Sequence, residues 1–454
     1  MRILAITAGA GEMYCGSCLR DNALAAELMA RGHDVALLPV YTPTVTDEPN
    51  VSGDRVFLGG ISVYLEQHVP LFRKTPWMID RLWDSAAVIK AVAGRSVATD
   101  PTLLGDLTVS MLEGEDGFQA KEIRKLVHWL RGQPPFDLVV LPNSLLLGLA
   151  PALKRATGRP VCCTLQGEDL FLEGLPDGAR RRAKELIRRL GSSVDAFVSV
   201  SGYYAGFMAE YLGLPPDRMH VVPLGISLAG HAPRDARREG PFTLGYFARI
   251  APEKGLHLLA EGYRVLRRER GLPASRLEAA GYLGPEHRAY LDGIRRRFEE
   301  WGLAGEFRYH GTLDREDKIR FLQGLDVISV PSPYVEPKGL YLLEAMANGI
   351  PAVQPRHGAF PEILERTGGG LLFEPGDVQG LADAILALHR DPLRAIALGR
   401  AGADGVRKHY GADRMADRAL EVYGALVTPS TATPSTVQGR RPTVGVRRLG
   451  GAEE

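Results

Sequence analysis

The first forty residues decide the fold, and their pattern has four parts: an apolar run RILAIT at 2–7, a glycine-rich stretch AGAGEMYCG at 8–16, the segment DNALAAELMA at 21–30 and a second apolar run DVALLPV at 34–40. Continuous apolar runs of this length are typical of strands buried on both faces. Leu24 and Leu28 are four residues apart, as on one face of a helix. The order strand, loop, helix, strand predicts a parallel sheet covered by helices.

The same alternation continues along most of the chain. Further buried strands are predicted at 138–141, 161–165, 196–200 and 220–223, and a second series at 242–247, 277–281, 307–310, 327–330, 351–354 and 370–373. We expect an N-terminal domain at 1–228, a polar linker at 229–240, a C-terminal domain at 241–411, a helix at 412–427 packing back on the first domain, and a disordered tail at 428–454. Two doubly wound α/β domains would place a ligand cleft between them.

Composition excludes several classes of protein. The 454 residues include 55 Lys and Arg and 54 Asp and Glu, so a net charge of +1 creates no field that attracts nucleic acid. The N-terminus lacks the features of a signal peptide, and no stretch is apolar enough for a membrane span. Four cysteines do not make a secreted disulfide scaffold. We therefore expect a cytoplasmic protein.

Two glutamates, Glu336 and Glu344, have seven residues between them and follow the strand predicted at 327–330. If a helix begins near Gly339, Glu336 lies in the loop at its N-terminus and Glu344 in its second turn. Backbone N–H groups and the positive end of that helix favour an anionic ligand. A surface carboxylate and an N-terminal helix charge would have the same spacing.

Two cations, Arg249 and Lys254, follow the first strand of the second series, where the next helix begins. They suit a diphosphate, because Arg gives bidentate hydrogen bonds and Lys a compact charge. Their other interpretation is long side chains at a helix start, but cations there are electrostatically unfavourable.

Together these residues resemble the retaining family-4 glycosyltransferases of the GT-B fold. The family pattern is Arg-x4-Lys, a Pro-Ser, Glu-x7-Glu, and Glu-Ala-Met-Ala-x-Gly-x-Pro, and this chain has matching residues in order: Arg249, Lys254, Pro331-Ser332, Glu336 and Glu344 to Pro351. Arg31-Gly-His-Asp-Val, Gly311-Thr-Leu and His357 to Glu362 extend the likeness over most of residues 1–427. Residues 56–84 look more like the bacterial glycogen and starch synthases.

The resemblance implies an active site between two Rossmann-like domains. Arg249 and Lys254 would bind the donor diphosphate and stabilise the leaving nucleotide, Glu336 would contact the hexose, and Glu344 would hold the ribose hydroxyls. Further donor contacts are implied for Gly339 and Leu340 through their backbone, for the loop Gly311, Thr312 and Leu313 beside the base, and for Gly16 beside the phosphates. Retention would require no metal, and stabilisation of the departing diphosphate would be the main contribution.

Three positions depart from the family pattern. The usual Glu-Gly-Phe-Gly reads Glu336-Pro337-Lys338-Gly339 here; Pro337 has no N–H to offer, and Lys338 adds a cation. Gln166 stands where many relatives have a His, and it can only form hydrogen bonds. Glu168, Asp169 or the donor phosphate could take a proton instead; helix capping is the alternative for the two carboxylates. The acceptor-side candidates are therefore Tyr14, Gln166, Glu168 and Asp169.

The glycine-rich loop does not complete a dinucleotide fingerprint, because position 14 is Tyr and no acid ends the second strand.

Cys15 and Cys18 form a CxxC motif at the predicted helix start. The pair could be redox-active, or it could be two small residues packed under the loop. Zinc would need further ligands, and Cys162 and Cys163, adjacent on a strand, would point to opposite faces.

A basic run at 180–189 is predicted on a helix of the first domain. A solvated face is the favoured interpretation, with weak peripheral contact to lipid as the alternative.

We predict a hexosyltransferase that uses a UDP-, GDP- or ADP-hexose, no other cofactor, and a glycan, glycolipid or small-molecule hydroxyl acceptor. The alternatives are a glucan synthase and a sugar-nucleotide-binding protein with little transfer activity. The oligomeric state is left open.

Overall fold

The computed structural model describes residues 1–9, 14–53, 56–57, 101–234 and 239–428. Within these ranges the strands form two separate six-stranded parallel sheets. The predicted fold, two doubly wound α/β units, is confirmed. The predicted tail, most of the synthase-like segment at 56–84 and the centre of the predicted linker lie outside the described residues.

The first sheet has the strand order β2-β1-β3-β4-β5-β6, with all neighbours parallel. Its strands are β1 Arg2–Thr7, β2 Asp34–Pro39, β3 Leu138–Leu141, β4 Val161–Leu165, β5 Ala196–Ser199 and β6 Met219–Val221. The helices of this N-terminal half are α1 Gly16–Ala30, α2 Pro101–Glu113, α3 Ala120–Arg131, α4 Ala150–Thr157, α5 Asp169–Glu173, α6 Asp177–Leu190 and α7 Gly202–Leu212.

The second sheet has the order β12-β11-β10-β7-β8-β9 and is also parallel. Its strands are β7 Thr243–Phe247, β8 Arg276–Ala280, β9 Phe307–Tyr309, β10 Val327–Ile328, β11 Ala352–Pro355 and β12 Gly370–Phe373. The helices of this C-terminal half are α8 Leu256–Arg268, α9 Arg288–Glu300, α10 Arg315–Gln323, α11 Leu340–Ala347, α12 Phe360–Thr367, α13 Val378–Arg390 and α14 Pro392–His409.

Both faces of the first sheet are covered. Side chains that alternate along one strand belong to opposite cores, so Cys163 packs on the side of α3, α4 and α6 while Cys162 packs on the other side, as predicted. On the second side lie α1 and the last helix, α15 Ala412–Val427. Met415, Ala416 and Tyr423 of α15 are buried there.

The chain passes between the halves at two places that lie side by side. The amide of Ile226 donates to the carbonyl of Tyr410 (2.9 Å), and the amide of Ala412 donates back to Ile226 (2.9 Å). Directly after the first crossing, the imidazole of His231 is buried and accepts a hydrogen bond from Asn348 at the end of α11 (2.8 Å). The start of the predicted linker is therefore fixed to the C-terminal half.

Most predicted strand boundaries shift by one or two residues, and two differences lie next to the cleft. Helix α1 begins at Gly16 and not at Asp21, because Cys15 is extended and its carbonyl already accepts the amide of Leu19 (2.9 Å). Strand β10 ends at Ile328, two residues early, where the chain turns toward the loop that contains Glu336.

Candidate active site

The carboxyl ends of both sheets face one cleft of about 500 Å³. In each sheet the strand order reverses at one point, between β1 and β3 and between β7 and β10, and the loops that follow these strands line the cleft. Such reversal points are where open α/β sheets bind ligands. The volume falls in the range usual for a small-molecule site, roughly 300–1,000 Å³.

The cleft has two walls. The N-terminal wall consists of lining residues within 14–19, 143–145 and 166–171, together with Asp47. The C-terminal wall consists of lining residues within 247–254, 281–282, 312–318 and 334–344. Most predicted site residues lie on these walls, namely Tyr14, Gly16, Gln166, Glu168, Arg249, Lys254, Thr312, Leu313, Glu336, Leu340 and Glu344. Asp169, Gly311 and Gly339 do not line the cleft, although each is next in sequence to a residue that does.

Lys254 and Glu336 form an ion pair on the C-terminal wall. Glu336 is 4% exposed, and burial alone would raise the pKa of its carboxyl. The charge and hydrogen bond of Lys254 outweigh burial, with smaller help from Lys338 and the Gly339 amide, so the pKa is lowered and the carboxylate stays ionised. Arg249 is paired in the same way with Glu253, four residues along the chain.

Gly339 gives the loop its shape just before α11. Its φ of +66° lies in the left-handed region, which favours glycine, and a Cβ there would lie 3.2 Å from the side chain of Ile363. The chain can therefore turn sharply from Glu336 into the helix that contains Glu344. The predicted helix start near this glycine is confirmed.

A buried ion cluster that the sequence did not indicate joins the two walls. Lys318 of α10 is 4% exposed, donates to Glu344 (2.6 Å) and also bonds Asp47 of the N-terminal half. Burial works against its charge, but the two carboxylates raise the pKa of Lys318 and keep the ammonium ionised. Lys318 is therefore held between one carboxylate of each wall, and it fixes one oxygen of Glu344.

The two predicted acceptor-side carboxylates, Glu168 on the N-terminal wall and Asp169 next to it in sequence, hold loops in place. Glu168 accepts hydrogen bonds from the amide (3.0 Å) and hydroxyl (2.9 Å) of Ser144 and from the amide of Gln166 (2.8 Å). Asp169 accepts from the hydroxyls of Tyr204 (2.7 Å) and Tyr334 (2.8 Å). Because Tyr334 belongs to the opposite wall, Asp169 also connects the two halves. These contacts give both residues a structural role, although it is not the helix capping considered above, because the start of α5 has no side-chain cap hydrogen bond.

The side-chain amide of Gln166 is only partly hydrogen-bonded among the described residues. Its amide nitrogen donates to the carbonyl of Pro142 (2.8 Å), whereas its carbonyl oxygen is buried and has no hydrogen-bond partner within the described part of the chain. A buried acceptor without a partner costs stability. The residue lines the cleft, so the hydroxyl of a bound molecule can supply the missing donor.

Pro337 and Lys338, the two residues of this loop that depart from the family pattern, make contacts between the two walls. The carbonyl of Pro337 accepts the hydroxyl of Ser201 (2.8 Å), and the ammonium of Lys338 donates to the hydroxyl of Ser17 (2.8 Å). Burial lowers the pKa of Lys338, although the neighbouring Cys15 and Glu336 oppose that effect. The altered loop thus attaches the C-terminal wall to the N-terminal one.

Two kinds of feature are absent from the described residues. Among them, no group of three His, Cys, Asp or Glu side chains is placed to hold a metal ion. Within the same ranges, every helix is too short or too polar to cross a lipid bilayer.

Comparison with known proteins identifies the family. The family described as "Glycosyl transferase 4-like domain" matches residues 22–225, and "Glycosyl transferases group 1" matches residues 231–404. The structure is similar to that of sucrose-phosphate synthase from Thermosynechococcus elongatus, with a TM-score of 0.65, 19% identity and coverage of 94% of this chain and 99% of that one. The chain is a family-4 glycosyltransferase of the GT-B fold. The predicted family, fold and hexosyltransferase class are thereby confirmed.

Two relatives of this glycosyltransferase differ in the reactions that their names give. Over 381 residues it is 28% identical to a GDP-mannose-dependent alpha-(1-6)-phosphatidylinositol monomannoside mannosyltransferase of Mycolicibacterium smegmatis, covering 78% of this chain and 91% of the relative. It is also 30% identical over 231 residues to a glycogen synthase of Mycobacterium tuberculosis, covering 50% of this chain and 54% of that one. The predicted likeness to glycogen synthases is confirmed.

Proposed function

We propose that this glycosyltransferase moves a hexose from a nucleoside-diphosphate sugar to a hydroxyl acceptor, with retention of anomeric configuration, in the cytoplasm. The observation behind the proposal is the meeting of Arg249, Lys254 and Glu336 at the strand-order reversal of the second sheet, on the cleft wall. The reaction needs a place where a diphosphate gains negative charge as the sugar leaves. Two cations on the cleft wall provide that stabilisation.

Arg249 and Lys254 would bind the donor diphosphate. Each is paired with a carboxylate of the C-terminal half, Arg249 with Glu253 and Lys254 with Glu336. A bound diphosphate would compete with these carboxylates for the cations, and its charge rises during departure. The cations would therefore bind the transition state more tightly than the ground state, which is the condition for catalysis.

Glu336 and Glu344 would bind the two sugars of the donor. An ionised Glu336 beside the hexose would stabilise the positive charge that develops at the anomeric carbon. Glu344, oriented by Lys318, has a second carboxylate oxygen for the ribose hydroxyls. On the opposite wall, the carbonyl oxygen of Gln166 would accept a hydrogen bond from the hydroxyl of the incoming acceptor.

Thermal denaturation with UDP, GDP and ADP tests this donor site. We expect one nucleotide, at about 100 times its Kd, to add roughly 2.7 kcal/mol of stability. The Arg249→Ala/Lys254→Ala double variant should lose that shift. GDP is the first choice, because the mannosyltransferase relative is named as GDP-mannose-dependent. A wild-type protein that none of the three nucleotides stabilises would contradict the proposal.

A glucan synthase is the second candidate, and the similarity to a glycogen synthase over half of the chain supports it. The two candidates differ in product. Incubation with ADP-glucose or UDP-glucose and a glucan primer should yield a lengthened chain from a synthase. With GDP-mannose and a lipid or short glycan acceptor, a mannosyltransferase should yield a product with a single added hexose. Donor hydrolysis in the absence of acceptor distinguishes either enzyme from a binding protein.

A further inference from the structure

We propose that Cys15 and Cys18 form a peroxide-reactive thiol pair on the cleft wall, which closes to a disulfide and reopens on reduction. The transfer reaction proposed above makes no use of either sulfur. The two residues therefore form a modification site in addition to the substrate site.

The position of the pair on α1 brings one thiol to the cleft and buries the other. Cys15 precedes the first residue of this 15-residue helix and lines the cleft, so a small oxidant can reach it. Cys18 lies three residues on, on the same side of the helix, and is 1% exposed. The two thiols are hydrogen-bonded to each other.

The surroundings give the two sulfurs opposite character. The hydrogen bond from Cys18 holds the pKa of the Cys15 thiol well below its ordinary value; burial opposes this, and the charge of Lys338 adds to it. The pKa of Cys18 is raised by its bond to Cys15, by burial, and by the charges of Cys15 and Asp21. Cys15 is thus the more acidic thiol, at the positive end of a helix, and it supplies the thiolate, whereas Cys18 keeps its proton more tightly.

Lys338 supplies the cation from the opposite wall. Its ammonium lies 2.8 Å from the hydroxyl of Ser17, between the two cysteines in sequence, and it faces Cys15. By contrast, burial raises the pKa of both Cys162 and Cys163, which lie inside β4 and are fully buried. One chain therefore contains a reactive pair and two inert cysteines for comparison.

The oxidation proceeds in two balanced steps with hydrogen peroxide as the oxidant. The Cys15 thiolate attacks one peroxide oxygen, the O–O bond breaks, hydroxide leaves, and Cys15 becomes a sulfenic acid. The Cys18 thiol then attacks the Cys15 sulfur, the S–O bond breaks, and water leaves with the thiol proton. A dithiol reductant supplies two electrons and reverses the change.

Closure of the disulfide would change the cleft. It shortens the distance between the two sulfur atoms from that of a hydrogen bond to that of a covalent bond, about 2.05 Å. It also removes the negative charge opposite Lys338. We expect slower sugar transfer, restored by dithiothreitol. This consequence rests on the proposed function, whereas formation of the disulfide does not.

Intact mass spectrometry of the peroxide-treated chain, after alkylation in the folded state, tests the proposal. The wild type should become lighter by two hydrogens and resist alkylation at Cys15. Cys18→Ala should stop at the sulfenic acid, which dimedone traps, and Cys15→Ser should not be oxidised. Cys162 and Cys163 should remain unalkylated until the protein is denatured, which shows that each variant is folded.

The pH dependence of alkylation provides a second test. For an ordinary thiol, the rate rises about tenfold per pH unit below its pKa, whereas a thiolate reacts at a rate that is nearly constant between about pH 6.5 and 8. We expect the rate at Cys15 to level off at a lower pH than that of an ordinary thiol. Cys18→Ala, which removes the hydrogen bond, should shift the profile of Cys15 most toward the ordinary one, and Lys338→Met should shift it less. A steep wild-type profile, a disulfide between two chains, or oxidation without a disulfide would each overturn the proposal, whether or not sugar transfer is detected.

Discussion

The two walls of the cleft are built in different ways. The C-terminal wall has its charged residues in short, continuous segments, with Arg249 and Lys254 in one loop and Glu336 to Glu344 in another. The N-terminal wall is assembled from separate segments, and its carboxylates are already engaged, Glu168 by a hydroxyl and two amides and Asp47 by Lys318. The first wall presents charge to a ligand, whereas the second presents hydrogen-bonding groups and a thiol.

This difference shows that a site for a charged ligand and a site for ligands of variable shape leave different patterns in a sequence. A diphosphate needs cations at the ends of neighbouring strands, so the same residue types at the same spacing suffice. Hydroxyl acceptors vary in shape, and their recognition is spread over loops far apart in the chain. The predictions below test this comparison.

The largest effect should come from the ion cluster that joins the walls. Lys318→Met leaves Asp47 and Glu344 buried without their cation, and we expect a loss of about 3–5 kcal/mol in the free energy of unfolding. Urea denaturation measures it. The matched control is Arg320→Met on the same helix, whose exposed pairing with Asp317 is screened by solvent, so its urea midpoint should be almost unchanged. Equal losses in both variants would show that the walls are not joined there.

On the C-terminal wall, Arg249→Ala should lower kcat by about 10²–10³, as expected for the loss of one preorganised donor at a developing charge. Steady-state kinetics with the donor identified by nucleotide binding measures this. Arg295→Ala, an exposed arginine on α9, should leave kcat unchanged. If the Arg249 variant retains full turnover, Arg249 does not stabilise the departing diphosphate, and the proposed contrast between the two walls is wrong.

Behind the C-terminal wall, His231 should make stability depend on pH. Burial, aided by the charges of Arg315 and Lys318, lowers the pKa of His231 to about 4. The unfolded chain, with a histidine pKa of about 6.5, binds the proton first, so stability falls by about 3 kcal/mol as the pH drops from about 6.5 to 4. His231→Asn, which keeps an acceptor for Asn348, should flatten urea midpoints over that window. An unchanged slope would contradict this.

The smallest effect should come from the N-terminal wall. Gln166→Ala removes one hydrogen-bond acceptor, worth about 0.5–1.5 kcal/mol, so the KM for the acceptor should rise roughly 2- to 12-fold. Donor hydrolysis without acceptor should not change. A variant impaired equally in hydrolysis and transfer would move Gln166 to the donor side and weaken the contrast between the walls.

Sequence patterns were sufficient for the strands of both sheets, because a buried parallel strand is a continuous apolar run and little else in a soluble chain looks like it. The motif of Arg249, Lys254, Glu336 and Glu344 was readable for a related reason. Local spacing places these residues at strand ends and at the start of α11, so no knowledge of distant contacts was needed.

The ion cluster around Lys318 could not be predicted from local sequence. Asp47 and Lys318 are separated by 271 positions, and a lysine in the polar sequence of α10 looks like a solvated charge. The roles of Glu168 and Asp169 depended equally on distant partners, Ser144 and Tyr334. Residues that act through tertiary contacts lack a local signature.

The packing of α15 on the first sheet has a consequence for how the chain is made. Strand β6 ends at Val221, and the helix that covers one side of its sheet begins at Ala412, about 190 residues later. At a synthesis rate of about 5–20 residues per second, the ribosome needs roughly 10–40 s to supply it. During that time the apolar face that receives Met415 and Tyr423 is open to chaperones. A stop codon near the end of the message would therefore damage the half of the protein that was made first.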